Sequence, residues 1–148
     1  MGEKMTITFF GHRDTPCSIQ PLLQSVLEEL ICQQHATNFL VGCEGAFDRM
    51  AIQTLQKLQP LHPEIRYTIV YAYYPDQNLF DVPFDCTLFP DELANVPRKF
   101  AIDRRNTLLV KRADMLITYV RYHTGGASKF KKLAEKNGKR VLNLADIP

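Results

Sequence analysis

Three short glycine-bearing stretches hold most of the chemistry this chain offers: Gly11-His12-Arg13, Gly42-Cys43-Glu44-Gly45 and Thr124-Gly125-Gly126-Ala127-Ser128-Lys129. Glycine lets backbone amides come close to an anion, and amides at a helix start carry partial positive charge. Such turns suit phosphate. Asp48 and Arg49, one turn beyond Gly45, add polar groups, although Asp48 could equally complement the dipole of its own helix. Glu44 could recognise ribose hydroxyls or act as a general base, the former being the better reading. His12 and His123 follow predicted strands and could contact phosphate, move a proton or bind metal. No third ligand accompanies them, so no metal is expected. Cys43 reads as a turn residue, and Lys129 adds charge without forming a GxxxxGK[ST] loop.

Arg105 falls in an apolar helical stripe, between Ile102 and Leu109 on one side and Ala101 and Leu108 on the other. Arg98 and Arg112 lie seven residues to either side on the same stripe. A buried arginine needs an anion, and its planar fork suits phosphate or carboxylate. That anion is a ligand's, or an internal one such as Asp48 or Asp114, unless the side chain snorkels to water. Arg98 and Arg105 therefore join the ligand-binding candidates. Tyr73, Tyr74 and Phe80 offer aromatic faces on which a base could stack, with local packing the stronger alternative.

The elements that must position these groups are legible as periodicity. Apolar, β-branched and aromatic runs predict strands over residues 5–10, 38–41, 67–73, 115–120 and 141–144. Between them, helical stripes run to about Gln34 after Asp14-Thr15-Pro16, from Phe47 to Leu58, over 98–112 and over 128–137. Residues 75–97, rich in proline and aromatics, form the least regular segment. Regular alternation predicts an α/β fold: a Rossmann-like, doubly wound, mostly parallel sheet of about five strands with helices on both faces. The ligand crevice then belongs at the C-terminal ends of the strands.

With 148 residues, the whole chain is expected to form one such domain. A net charge of +2 does not advertise nucleic acid and argues against it as a partner. The late run of lysines reads as a solvated helix face. Four cysteines without a CxxC pair, no signal-peptide pattern and no long apolar stretch point to a reducing cytoplasm and no membrane.

Taken in order, Gly-His-Arg after the first strand, the stretch from Val41 to Ala51 (VGCEGAFDRMA) and the stretch from Arg105 to Lys129 (RNTLLVKRADMLITYVRYHTGGASK) resemble small bacterial members of the SLOG superfamily. That group is named for the Smf/DprA DNA-processing proteins and the Lonely Guy phosphoribohydrolases. The resemblance spans nearly the whole chain and implies a Rossmann-like fold, nucleotide or nucleotide-derived ligands, and possible homodimers. Arg105 aligns with the family's catalytic arginine, nine residues before the Asp that opens the strand. One departure is chemical. Phosphoribohydrolases of this type carry Pro-Gly-Gly-x-Gly-Thr-x-Glu-Glu, whereas Lys131 and Lys132 occupy the glutamate positions here. A protonated lysine is no general base. The expectation is therefore a binding protein for a phosphate-bearing small molecule, such as a sensor or regulator, with no cofactor beyond such a ligand. Two alternatives stand beside it. One is a hydrolase of an N-glycosidic or phosphate bond, with Glu44, Asp48 or a histidine as the base and Arg105 as a further catalytic candidate. The other is single-stranded DNA binding of the DNA-processing type.

Overall fold

A computed structural model describes residues 4–74 and 82–148. Six parallel strands form one sheet in the order β4-β3-β2-β1-β5-β6. They are β1 (Met5–Gly11), β2 (Ala36–Val41), β3 (Arg66–Val70), β4 (Thr87–Leu88), β5 (Met115–Tyr119) and β6 (Arg140–Asn143). Side chains alternate across the sheet, and both faces are buried. Ile7, Phe9, Phe39, Val41, Ile69 and Ile117 point into one apolar layer, completed by Leu23 and Leu27 of α1 (Gln20–Gln34) and Phe47 and Leu55 of α2 (Gly45–Leu58). Phe10, Leu40, Val70 and Leu116 point into the other, closed by Leu109 and Val110 of α3 (Arg98–Arg112) and Phe130 and Ala134 of α4 (Gly126–Lys136).

From β1 the chain steps outward through β2, β3 and β4, then crosses back to β5 on the other side of β1. The boundary between β1 and β5 is therefore the point where strand order reverses. Adjacent crossovers diverge there and leave a crevice beyond the strand ends.

The doubly wound α/β architecture is as predicted, with three local differences. The sheet has a sixth strand, β4, inside the irregular segment. It pairs only Ile69 with Thr87 and Val70 with Leu88, too short a run to carry a period. β3 ends at Val70 rather than running on, although the Tyr71 amide still bonds Leu88 O at 2.8 Å. Asp14-Thr15-Pro16 opens a single 3-10 turn, Cys17–Ile19, before α1 begins. Among the described residues, no helix is long and apolar enough to cross a membrane.

Candidate functional site

β1, β2 and β5 each end on the same edge of the sheet, and the chain leaves each one by a glycine-bearing turn. The three turns line a single cavity of ≈ 380 Å³. Gly11, His12, Arg13 and Asp14 contribute from the end of β1, and Gly42, Glu44 and Asp48 from the start of α2. Ile102, Arg105, Asn106 and Leu109 form the α3 wall, and Gly125, Gly126 and Ala127 the mouth of α4.

Close approach explains two of the glycines. A Cβ on Gly11 would lie 2.6 Å from the Phe47 Cβ and closer still to its ring, which is fully buried and cannot retreat. Gly11→Ala is expected to cost about 3 kcal/mol, the upper part of the overpacking range, in equilibrium denaturation. Phe47→Leu in the same chain should recover part of that loss. At Gly42 a Cβ would meet Asp48 Oδ2 at 3.0 Å and Arg105 Cζ at 3.1 Å, so the missing side chain is what lets these charges converge. Gly45, at φ +88°, backs onto Arg13, and the Ala46 amide bonds Arg13 O at 3.0 Å, tying the first turn to the second. The third turn differs. A Cβ on Gly125 or Gly126 would meet nothing within 4 Å, so the backbone ahead of α4 faces open space.

Arg105, 1% exposed, is the largest fully buried side chain among the described residues. Its Nη2 is ion-paired with Glu44 Oε2, its Nη1 donates to Val70 O at 2.9 Å, and its Nε donates to Asn106 Oδ1 at 2.7 Å. Glu44, the anion sequence reasoning reserved for ribose, is thus the internal partner of Arg105. Asp114 instead accepts the Thr6 amide at 2.8 Å, and Asp48 Oδ2 accepts the Glu44 amide at 2.9 Å. Neither is the ion-pair partner that spacing allowed. Asn106 went unnoticed, its one signal being its place directly after Arg105.

Burial sets the protonation of this cluster. Loss of solvent pushes the Asp48 carboxyl up to about 7, against the pull of its Glu44 amide bond and the Arg105 charge. Burial alone would lower the Arg105 value, but the charge and hydrogen bond of Glu44 more than offset it, and the group is held above its ordinary value. Burial, reinforced by the neighbouring Glu44 charge, pushes the Cys43 thiol up to about 12. The helix start therefore does not activate this cysteine. Brief alkylation at neutral pH should label exposed Cys17 and Cys32 and spare Cys43, read by peptide mass.

His12 lines the cavity, and its Nε2 accepts the Arg121 amide at 2.8 Å and the Tyr122 amide at 3.4 Å. Other candidates lie apart from the cavity wall. Arg98 stacks over the Tyr73 ring at 4.1 Å, Arg49 is exposed, and Ser128 is buried. His123 and Thr124 are exposed, and Lys129 pairs with Asp103 of α3. Lys131 bonds Glu135 at 3.1 Å, and Lys132 donates to His123 O at 3.0 Å. Tyr74 packs edge-on against Phe89, while Phe80 lies outside the described residues. Among the described residues, no three His, Cys, Asp or Glu side chains gather as metal ligands.

With Arg105 neutralised by Glu44, the anion-suited groups left at the cavity are the amides ahead of α4 and the exposed Arg13. Fold and cavity together define a Rossmann-like α/β protein with its crevice at the switch point. No protein-family model matches the chain, and no curated protein does. Among solved structures it is similar to DNA processing protein A from Helicobacter pylori, described for its single-stranded DNA binding mode. The TM-score is 0.64 at 14% identity, over 93% of this chain and 63% of that one. At that identity the likeness shows the Rossmann-like fold alone, and this chain spans less than two-thirds of its neighbour's length. It also corrects one expectation. Near-neutral charge argued against a nucleic-acid partner, yet a protein of this same fold binds single-stranded DNA. Net charge is a poor guide here because phosphate contacts depend on a few local amides and cations rather than on the whole-chain sum.

Proposed function

We propose that this chain is a small SLOG-type protein that binds a nucleotide or nucleotide-derived molecule in its switch-point crevice. The observation that carries the reading is the meeting of three sequence-distant glycine turns around one ≈ 380 Å³ cavity. Phosphate sits over the amides of Gly125, Gly126 and Ala127, with Arg13 supplying charge. Glu44 Oε1 faces the Cys43 thiol at 3.6 Å and retains acceptor capacity for a ribose hydroxyl.

Thermal unfolding against mononucleotides, cyclic nucleotides and ADP-ribose derivatives tests this. A ligand at 100 times its dissociation constant should add about 2.7 kcal/mol of stability. Absence of any shift across the panel would sink the proposal. Gly126→Ala sharpens it, because the added methyl enters open space. Its stability should stay within about 0.5 kcal/mol of the parent while affinity drops. Unchanged affinity would take the α4 turn out of the site.

The structural neighbour favours a second reading, in which the bound phosphates belong to single-stranded DNA. Affinity for an oligonucleotide would then fall steeply with salt, with a logarithmic slope of about −0.7 per phosphate contacted. Hydrolysis of an N-glycosidic or phosphate bond would draw on Asp48, the cavity carboxyl whose proton affinity lies near neutrality. Release of free base or ribose phosphate, lost in Asp48→Asn, is its signature.

A further inference from the structure

Three aromatic rings run outward from the core, the middle one, His12, lining the cavity. Tyr119, at the end of β5, is buried and meets His12 edge-on, with centroids 6.2 Å apart and planes at 82°. His12 in turn lies against Tyr122, at 4.6 Å and 38°. Tyr122 is 53% exposed. The middle ring is fixed in place, because its Nε2 accepts the amides of Arg121 and Tyr122. Those bonds bind the β1 turn to the loop ahead of α4, so Tyr122 is backed by a ring that itself lines the cavity. Gly125 follows three residues later, and the exposed cations Arg13 and Arg121 adjoin His12 and Tyr122 in sequence.

We infer that Tyr122, backed by His12, is a stacking platform for the nucleobase of the ligand whose phosphate lies at the Gly125 turn. This rests on the crevice reading above and assigns its base-recognition element. A half-exposed ring offers a π-face to any base, and a pre-fixed support means little ordering is lost when the base arrives. Continuity with a phosphate-suited cavity and flanking cations selects a nucleotide over an apolar partner. Free nucleotides and single-stranded DNA present the same pairing of base and phosphate.

The test titrates the parent chain, Tyr122→Ala and Tyr122→Phe with adenosine and thymidine monophosphates, ribose 5-phosphate and a short oligodeoxythymidylate. Tyr122→Ala should weaken the base-bearing ligands by roughly tenfold to a hundredfold and leave ribose 5-phosphate untouched. Tyr122→Phe should bind like the parent. The chain has no tryptophan, so bound base should also quench tyrosine emission, and Tyr122→Phe should lose that quench while still binding. Tight monophosphates identify a free nucleotide as the source and a preference for the oligomer identifies DNA; either supports the platform when Tyr122→Ala weakens that ligand. Ribose 5-phosphate binding with nucleotide affinity unchanged in Tyr122→Ala overturns the platform and leaves the crevice reading standing. Equal loss of ribose 5-phosphate also overturns it, since the residue would then act on the turn. If the parent binds none of the four, both readings fall together.

Discussion

Asp48→Asn is expected to make the protein more stable above neutrality, by on the order of 4 kcal/mol, and by progressively less as the pH falls toward 3.8. The carboxyl rises from 3.8 to about 7 on folding, because burial penalises its charge. Between those values the folded chain holds a proton that the unfolded chain has released. Its contribution to stability is therefore fully present below 3.8, falls as pH rises through the interval, and is lost above about 7. A shift of about three units at ~1.36 kcal/mol each sets the magnitude. Asparagine keeps an oxygen for the Glu44 amide, now at 2.9 Å, and has no charge to desolvate. Urea denaturation of both chains at about pH 5 and about pH 8 isolates this group, since the difference between them cancels the other titrations. The same difference at both values would show that Asp48 keeps its charge on folding.

Removing either half of the buried ion pair should cost about 3–5 kcal/mol, and the two losses should be unequal. Arg105→Met leaves Val70 O without its donor and Glu44 without its cation, but the Glu44 side chain is 20% exposed and water recovers part of the loss. Glu44→Ala strands the guanidinium at 1% exposure and is the more damaging change. Asp48 then becomes the nearest remaining anion. Its carboxyl should titrate lower, because Glu44 is one of the charges holding it up. Combining Arg105→Met with Glu44→Gln removes both charges and should recover stability relative to Arg105→Met alone, as a double-mutant cycle. An Arg105→Met chain within about 1 kcal/mol of the parent would mean the pair does not hold the α3 wall against α2.

The residues that form the site are a mixture of what local pattern reveals and what it cannot. Gly11 and Gly42 announce themselves because each directly follows an apolar run that only a buried strand explains, and Gly125 because it stands five residues beyond another such run. Alternating strands and helices dictate a parallel sheet, and a parallel sheet places all those turns on one edge. The Arg105 stripe is equally visible, since a charge among apolar helix positions stands out at a period of 3.6. Those inferences depend only on near neighbours in the chain, and periodicity records near neighbours.

Partnership is another matter. That Arg105 pairs with Glu44, 61 residues away, rather than with Asp48 or Asp114, follows from how closely α3 approaches the Gly42 turn, a distance no spacing encodes. The same holds for His12, whose ring nitrogen caps a loop more than 100 residues downstream, and for Lys129, which turns to Asp103 instead of the cavity. The two residues of β4 form a strand only because β3 is there to pair with them. By itself the sequence determined the α/β alternation, the edge on which the glycine turns lie and the arginine that needs an anion. Tertiary packing alone decided which anion it received and which side chains face the crevice, because long-range contacts are chosen by the whole core at once.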